Sequence, residues 1–171
     1  FSSHGLQGYN QRILKPWAWV HPYLATRGID DDTAKRLQIG WREDLNRITI
    51  PVFWAGNLVG WQGRSIPDSP GQWPGTWGGG VPKYKSSPGF PKSGCLYDVG
   101  GGRGLGSPDS VVVVESPFSV IKSQALGVDR RVDGTFGAKV SQRQIDILSE
   151  ANRVYVLADA DDAGRVMERK L

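Results

Sequence analysis

The chain has 171 residues, 39% of them hydrophobic and 22% charged, a composition typical of one or two small globular domains with cores of their own. Its one cysteine, Cys95, excludes an internal disulfide framework and fits a cytoplasmic location, and two histidines beside it make a zinc site within the chain unexpected. No apolar run is long enough to span a bilayer, so no membrane partner is expected. The formal charge of +4 favours a polyanionic partner.

The first half of the chain begins with a short helical unit. Residues 23–27 are predicted to form a helical turn that ends at Gly28. Asp30 then caps a second helix, which runs through Leu37 and stops at Gly40. Acidic side chains in its first turn suit the positive end of the helix dipole.

After this helical unit the spacing of the apolar residues changes from a helical to a strand period, which predicts a β-hairpin. Residues 48–52 alternate in polarity, Gly56-Asn57 offers a turn, and residues 58–61 return the chain as a second strand. Residues 67–80 are a loop rich in Pro, Gly and Trp, without periodicity.

The composition changes at a second glycine-rich stretch, residues 98–110, which we interpret as a linker between two domains. The first domain then covers residues 1–106 and the second residues 109–171. The glycines at 101–106 are spaced like a phosphate-binding loop, but no strand precedes them and no helix follows, so the linker interpretation is preferred. Trp73 and Trp77 in the earlier loop could stack on bases, but we favour the simpler interpretation that they pin this loop to the protein.

The second domain shows a βαβαβα pattern, which predicts a parallel sheet flanked by helices. Its first and third strands are continuous apolar runs, as expected of strands buried on both faces. The predicted elements are a strand at 111–114, a helix from Ser116-Pro117 to Gly127, a strand near 131–135, a helix opened by the capping box Ser141–Gln144, a strand at 154–158 and a helix from about Asp162.

Acidic residues follow the first and third strands of this domain. Glu115 follows the first, and Asp159 and Asp161 follow the third. Ligands gather at the carboxyl ends of parallel strands, and three carboxylates meeting there would suit Mg²⁺. The alternative is that the aspartates cap the last helix and the glutamate is solvated. Gly164 would let that helix approach the site closely.

Three segments of this domain resemble the TOPRIM domain, which is shared by topoisomerases, bacterial-type (DnaG-like) primases and some nucleases. The hallmark of that domain is a glutamate after the first strand and a DxD after the third, which match Glu115 and Asp159/Asp161. The segments are ESPFSV (Glu115–Val120), VDGTFGAKVSQRQIDIL (Val132–Leu148) and LADADDAGR (Leu157–Arg165).

The first half resembles, in order, the segments that precede TOPRIM in bacterial and phage primases. The resemblance therefore implies a phage or plasmid primase with an α/β fold: a mixed α+β subdomain, then a TOPRIM domain (a Rossmann-like parallel sheet) truncated at its C-terminal end. The matching segments are Tyr23–Trp41, Arg47–Val52, Leu58–Ile66 and Pro82–Asp98.

The primase resemblance assigns nucleic-acid and nucleotide binding to Arg64, Lys83, Tyr84 and Lys92. These residues stand among glycines and prolines, so we expect the cations to be presented on loops, where phosphate contact is possible. Solvated surface charges are the alternative, since that is the usual environment of Lys and Arg.

The activity implied is template-directed synthesis of short RNA primers on single-stranded DNA. The resemblance makes Glu115, Asp159 and Asp161 both the catalytic residues and the ligands of Mg²⁺ (or Mn²⁺). Implied partners are a single-stranded DNA template, nucleoside triphosphates and a replicative helicase, separate or fused. Ser119 stands where the primase pattern has an aspartate. This departure keeps open a TOPRIM-type nuclease or a non-catalytic nucleic-acid-binding module.

Overall fold

The computed structural model describes residue 6 and residues 8–66, 82–100 and 109–171. It combines an antiparallel sheet with a separate three-stranded parallel sheet, which confirms the predicted α/β class. Trp73, Trp77 and the glycines at 101–106 lie outside the described residues, so the interpretations given for them stay predictions.

The first half forms a four-stranded antiparallel sheet in the order β1-β2-β3-β4, with short helices beside it. Its strands are β1 (Gly40–Arg42), β2 (Arg47–Trp54), β3 (Asn57–Ser65) and β4 (Tyr84–Ser86), and its helices are α1 (Tyr23–Thr26), α2 (Asp31–Arg36) and two 3-10 helices at Gln11–Trp17 and Glu43–Leu45.

The second half has the predicted βαβαβα order, with a parallel sheet in the order β6-β5-β7. The elements are β5 (Ser110–Val114), α3 (Pro117–Ala125), β6 (Val132–Gly134), α4 (Gln142–Leu148), β7 (Arg153–Leu157) and α5 (Asp162–Glu168). The capping box of α4 is present as predicted: Ser141 and Gln144 bond to each other's backbone N–H groups.

Helix α2 begins as predicted but ends earlier than expected. The Asp30 carboxylate accepts a hydrogen bond from the Thr33 N–H at 2.7 Å, which fixes the start of the helix. Its end is set by Gln38, which has a φ of 55°, and Gly40 already belongs to β1. A side chain at Gly40 would overlap the Trp17 carbonyl, so the close packing of β1 against the 3-10 helix Gln11–Trp17 explains this glycine.

The predicted hairpin exists, but its turn lies one residue earlier than Gly56-Asn57. Trp54 pairs with Asn57, so the turn residues are Ala55 and Gly56, with φ values of 48° and 79°. Two successive positive φ angles match the twist of a two-residue hairpin turn.

The prediction that the strand at 154–158 is buried on both faces was wrong. In β7, Tyr155 is 50% exposed and Leu157 is 66% exposed, whereas Val113 in β5 is fully buried. The reason is position: β5 lies between two strands, while β7 pairs with β5 alone among the described strands. Apolar sequence shows that a strand can be buried but not that anything covers it.

The two halves share a hydrophobic core. Leu24 and Ile48 of the first half belong to the same buried cluster as Phe118 and Ile121 of helix α3. Tyr97 also forms an isolated antiparallel bridge with Gly134 of β6, with both N–H···O distances at 2.8 Å. No helix of the described part of the chain is long and apolar enough to cross a membrane.

Candidate active site

The parallel sheet brings Glu115 and Asp159 together at one edge. Val114, at the end of β5, pairs with Leu157, at the end of β7, so the residues that follow emerge side by side. The Asp159 N–H donates to Oε1 of Glu115 at 3.2 Å. Neighbouring parallel strands end at the same edge of a sheet, which explains why residues 44 positions apart meet here.

Asp161 lies two residues beyond Asp159 and caps helix α5. Its carboxylate accepts a hydrogen bond from the Gly164 N–H at 2.8 Å. A Cβ at Gly164 would overlap the carbonyl of Asp159, so only glycine allows the first turn of α5 to lie this close. The capping interpretation of Asp161 is therefore correct, and the cap holds the residue next to the other two carboxylates.

The pKa of Glu115 is raised, mainly by burial and further by the negative charges of Asp159 and Asp161. The N–H of Asp159 and the charge of Lys83 act in the opposite direction. The site is therefore an acidic cluster whose mutual repulsion a cation would relieve.

A hard divalent cation suits the chemistry of these donors, but the side chains are not yet arranged around one. Among the described residues, no group of three or more acidic, histidine or cysteine side chains is placed to hold a metal ion. The cause is visible: one oxygen of Glu115 is taken by a backbone N–H, and Asp161 is turned towards its helix. Holding a cation requires the carboxylates to turn towards one point.

Arg64 lies in strand β3 and is only 3% exposed, so the expectation that the cations stand on loops was wrong for this residue. Its guanidinium lies 4.1 Å above the ring of Phe118 and 5.3 Å from that of Tyr84, and it also donates a hydrogen bond to the Tyr84 hydroxyl. Tyr23 accepts a longer bond at 3.5 Å. Stacking on aromatic faces lets the planar cation be buried without losing its charge.

Lys83, in a bend just before β4, links the basic and acidic parts of the site. Burial lowers its pKa, as do the charges of Arg64 and Arg27, whereas Asp159 and Glu115 raise it. These opposing charges show that the ammonium group lies within electrostatic range of both sets of residues. Tyr84 follows it as the first residue of β4.

Lys92 lies in a turn beside the carboxyl end of β6. Its carbonyl accepts a hydrogen bond from the Gln144 side chain at 3.0 Å. Together with Lys139 it lines a cavity of about 390 Å³ that also includes Phe136. The nucleic-acid or nucleotide binding expected of Lys92 stays a prediction.

Arg47 has a role that the sequence did not reveal. It is 2% exposed, and its guanidinium donates to the carbonyls of Gly63 at 3.0 Å, Pro82 at 2.8 Å and Lys83 at 3.5 Å. It therefore fixes the backbone that presents Lys83. The sequence offered one signal for this role, namely a cation at the start of an apolar strand. That signal was not sufficient, because a solvated residue at a strand end gives the same pattern.

Known proteins are similar to this chain in both sequence and fold. No protein-family model matches it. It is 33% identical over 127 residues to the DNA primase of Synechococcus elongatus, covering 70% of this chain and 17% of that protein. It is 28% identical over 162 residues to the DNA primase of Aquifex aeolicus, covering 90% of this chain and 29% of that protein. The chain is related to the bacterial DnaG-like primases.

Solved DnaG-like primase structures have the same fold. The zinc-binding and RNA polymerase domains of the Aquifex aeolicus primase align with a TM-score of 0.68 at 22% identity, over 86% of this chain and 44% of that one. A DnaG primase catalytic domain bound to ssDNA aligns with a TM-score of 0.69 at 19% identity, over 94% and 62%. The chain spans less than a third of the length of the two primases matched in sequence.

Proposed function

We propose that this chain carries part of the catalytic core of a DNA primase, which synthesises short RNA primers on single-stranded DNA in a magnesium-dependent reaction. The observation that carries the proposal is the meeting of Glu115 and Asp159 at the edge of a parallel sheet, with Lys83 within electrostatic range of both. Relatives named DNA primase support the assignment.

Three acidic residues would hold Mg²⁺ or Mn²⁺: Glu115, Asp159 and Asp161. When bound, the cation supplies charge neutralisation at the triphosphate and lowers the pKa of the attacking hydroxyl. The chain's contribution is placement. The Asp159 N–H orients the Glu115 carboxylate, and the Asp161 N–H, which donates to the Asp159 carbonyl at 2.8 Å, fixes the backbone between the two aspartates.

The basic residues would hold the phosphates of template and nucleotide. Lys83 supplies a cation next to the acidic edge, and Tyr84 packs beside it against sugar or base. Arg64 adds positive potential and orients the hydroxyl of Tyr84, to which it donates a hydrogen bond. Lys92 would bind phosphate from its own position beside β6. The single-stranded DNA bound to a structurally similar catalytic domain supports a DNA template as partner.

Nucleoside triphosphates and a replicative helicase, separate or fused, complete the proposed set of partners. The triphosphates follow from the polymerase reaction itself. The helicase follows from the place of primer synthesis in replication, where template strands must first be separated.

Ser119 gives the sharpest test of this function. It lies in the first turn of α3, where its N–H and its hydroxyl both contact Oγ of Ser116, at 3.2 and 3.0 Å. It is one turn from Glu115, so a carboxylate there would add negative charge near the site. We expect Ser119→Asp to lower the Mg²⁺ concentration needed for half-maximal primer synthesis by about tenfold. The measurement is incorporation of labelled nucleotides on single-stranded DNA across a Mg²⁺ titration.

Glu115→Gln and Asp159→Asn should abolish synthesis in the same assay, whereas Asp146→Asn, an exposed change on helix α4, should leave it unchanged. Degradation of the DNA without polymerisation would contradict the primase assignment and support a TOPRIM-type nuclease. Binding of DNA with neither reaction, at any Mg²⁺ or Mn²⁺ concentration and also in Ser119→Asp, would select the non-catalytic module.

A further inference from the structure

The cavity of about 390 Å³ at the carboxyl end of β6 lies directly beside the candidate active site. Two residues of its wall are bonded to the end of β5: the Thr135 N–H donates to the carbonyl of Val114 at 3.1 Å, and the Gly137 N–H donates to that of Glu115 at 2.7 Å. Strand β5 lies between β6 and β7, so the cavity is on one side of Glu115 and Asp159 is on the other. We call it the β6 cavity.

Hydrogen bonds between its two walls fix the shape of the β6 cavity. The hydroxyl of Ser141 donates to the carbonyl of Ser93 at 2.7 Å. The side-chain amide of Gln144, which is 1% exposed, donates to the carbonyls of Lys92 at 3.0 Å and Thr135 at 3.1 Å. The turn that contains Lys92 is therefore held against the loop after β6. A preformed cavity of this size is typical of a site for a small molecule.

The loop after β6 also contains an unfavourable backbone conformation. Phe136 has a φ of 64° and Gly137 a φ of 127°. A positive φ is unusual for a bulky residue, because its Cβ crowds the backbone. The ring of Phe136 packs edge-on against Phe90, with centroids 5.0 Å apart, and this packing holds the loop in place. Strained conformations of this kind are concentrated at binding and catalytic sites.

The lining of the β6 cavity is positively charged. Lys92 and Lys139 are both exposed and belong to different walls, and none of the other described residues that line the cavity carries a charge. Two ammonium groups without a carboxylate suit a ligand with several phosphate groups. Phe136 is only 8% exposed, so the lining offers little aromatic surface on which a base could stack. A polyphosphate chain therefore fits the cavity better than a nucleic-acid strand.

Starting a primer requires two nucleotides at the same time. The 3′-hydroxyl of the first nucleoside triphosphate attacks the α phosphorus of the second. A new O–P bond forms, the bond to pyrophosphate breaks, and the proton of the hydroxyl passes to solvent. The second triphosphate occupies the acidic edge beside Lys83, so the intact triphosphate of the first needs separate cations. The ends of β5 and β6 are one strand spacing apart, about 4.8 Å, which places the β6 cavity next to the reacting atoms.

We propose that the β6 cavity holds the 5′-triphosphate of the first nucleotide of the primer, with Lys92 and Lys139 as its cations. This inference rests on the proposed function, because it concerns the second substrate of the same reaction. The sugar of the first nucleotide then faces Glu115. Once the primer has grown, its 5′ end has left the site, so the cavity acts in initiation and not in extension.

Two reactions on the same template separate initiation from extension. Initiation is dinucleotide formation from ATP and a second triphosphate, and extension is the addition of one nucleotide to an annealed RNA primer with a 5′-hydroxyl end. Lys139→Ala should lower the ratio of initiation to extension by about tenfold, through a higher KM for the first nucleotide. Lys139→Arg should recover most of this loss. Lys122→Ala, an exposed lysine change on α3, should leave the ratio unchanged.

Adenosine in place of ATP as the first nucleotide is the control for a structural effect. Adenosine has no triphosphate, so the wild type and Lys139→Ala should join it to the second nucleotide equally well. An unchanged ratio in Lys139→Ala, or an equal loss with ATP and with adenosine, would overturn the inference. Lys83→Ala tests the proposed function separately, because it should slow both initiation and extension.

ATP binding in EDTA gives a readout that does not depend on synthesis. Without divalent cations the acidic edge repels a triphosphate, so binding measured by equilibrium dialysis reports on the β6 cavity. Lys139→Ala should weaken ATP binding by about tenfold. A wild-type chain that catalyses neither reaction would contradict the proposed function, and the dialysis result then decides the inference alone. Equal ATP binding by the wild type and Lys139→Ala, or none by the wild type, would rule out the site.

Discussion

Asp133 is a fully buried carboxyl group on β6, paired with Arg131 at 2.8 Å. Burial raises its pKa from 3.8 to about 6, against the opposing effect of Arg131. Between these pH values the unfolded chain has lost a proton that the folded chain keeps, so the free energy of unfolding falls as the pH rises from about 4 to 6. The stabilisation by the bound proton is complete below pH 3.8 and is lost above 6.

We therefore expect Asp133→Asn to remove part of this pH dependence. The measurement is urea unfolding of both proteins at several pH values between 4.5 and 6.5. The quantity compared is the slope of the free energy of unfolding against pH. Absolute stabilities are not compared, because the variant also leaves Arg131 without its anion. Equal slopes in the two proteins would contradict the assignment. Titration of the Asp133 carboxyl by NMR gives an independent value, which should lie near 6.

Arg64 and Arg47 show why the sequence could indicate which residues are cations but could not indicate where in the fold they lie. Both are cations in strands with less than 4% exposure. Phe118, which stacks on Arg64, is 54 positions away in the chain, and Pro82, which accepts from Arg47, is 35 away. Partners at such distances leave no local pattern, so exposure on a loop was the natural and incorrect expectation for Arg64.

At the scale of elements, helix α5 depends on Gly164 for its approach to the acidic edge. An added Cβ would overlap the carbonyl of Asp159. Gly164→Ala should therefore displace the first turn of α5 and weaken Mn²⁺ binding, measured by titration followed by electron paramagnetic resonance. The neighbouring change Ala163→Gly is the matched control, because it costs about 1 kcal/mol of helix stability without steric overlap. Equal Mn²⁺ affinity in the two variants would show that the close approach is unimportant.

Elements whose ends are set by local hydrogen bonds could be predicted from the sequence. The predictions of the cap at Asp30 and of the capping box at Ser141 were correct, because the bonding side chains stand within three residues of their partners. The hairpin turn was misplaced by one residue, because Ala55 adopts the positive φ that Asn57 would have suited better. The burial of β7 was wrong, because it depends on what packs against the strand.

For the molecule as a whole, the shared core predicts that the two halves unfold together. All seven tryptophans precede residue 107, so their fluorescence reports on the first half. Ile121 belongs to helix α3 of the second half and is fully buried in the common core. Ile121→Ala should lower stability by about 2–5 kcal/mol and shift the midpoint seen by tryptophan fluorescence. Leu126→Ala, 69% exposed just after the same helix, should shift it little. An unshifted tryptophan signal in Ile121→Ala would mean that the halves unfold independently.

The bridge between Tyr97 and Gly134 also has a consequence for synthesis of the chain. The first half is made before its partner surfaces on β6 and α3 exist. At elongation rates of roughly 5–20 residues per second, Tyr97 waits about 2–7 seconds for Gly134 to be added. During that interval the apolar face later covered by Phe118 and Ile121 is open to other molecules. Slower elongation through residues 98–134 would lengthen this exposure, so the nascent first half is the stage at which chaperone binding would help the chain most.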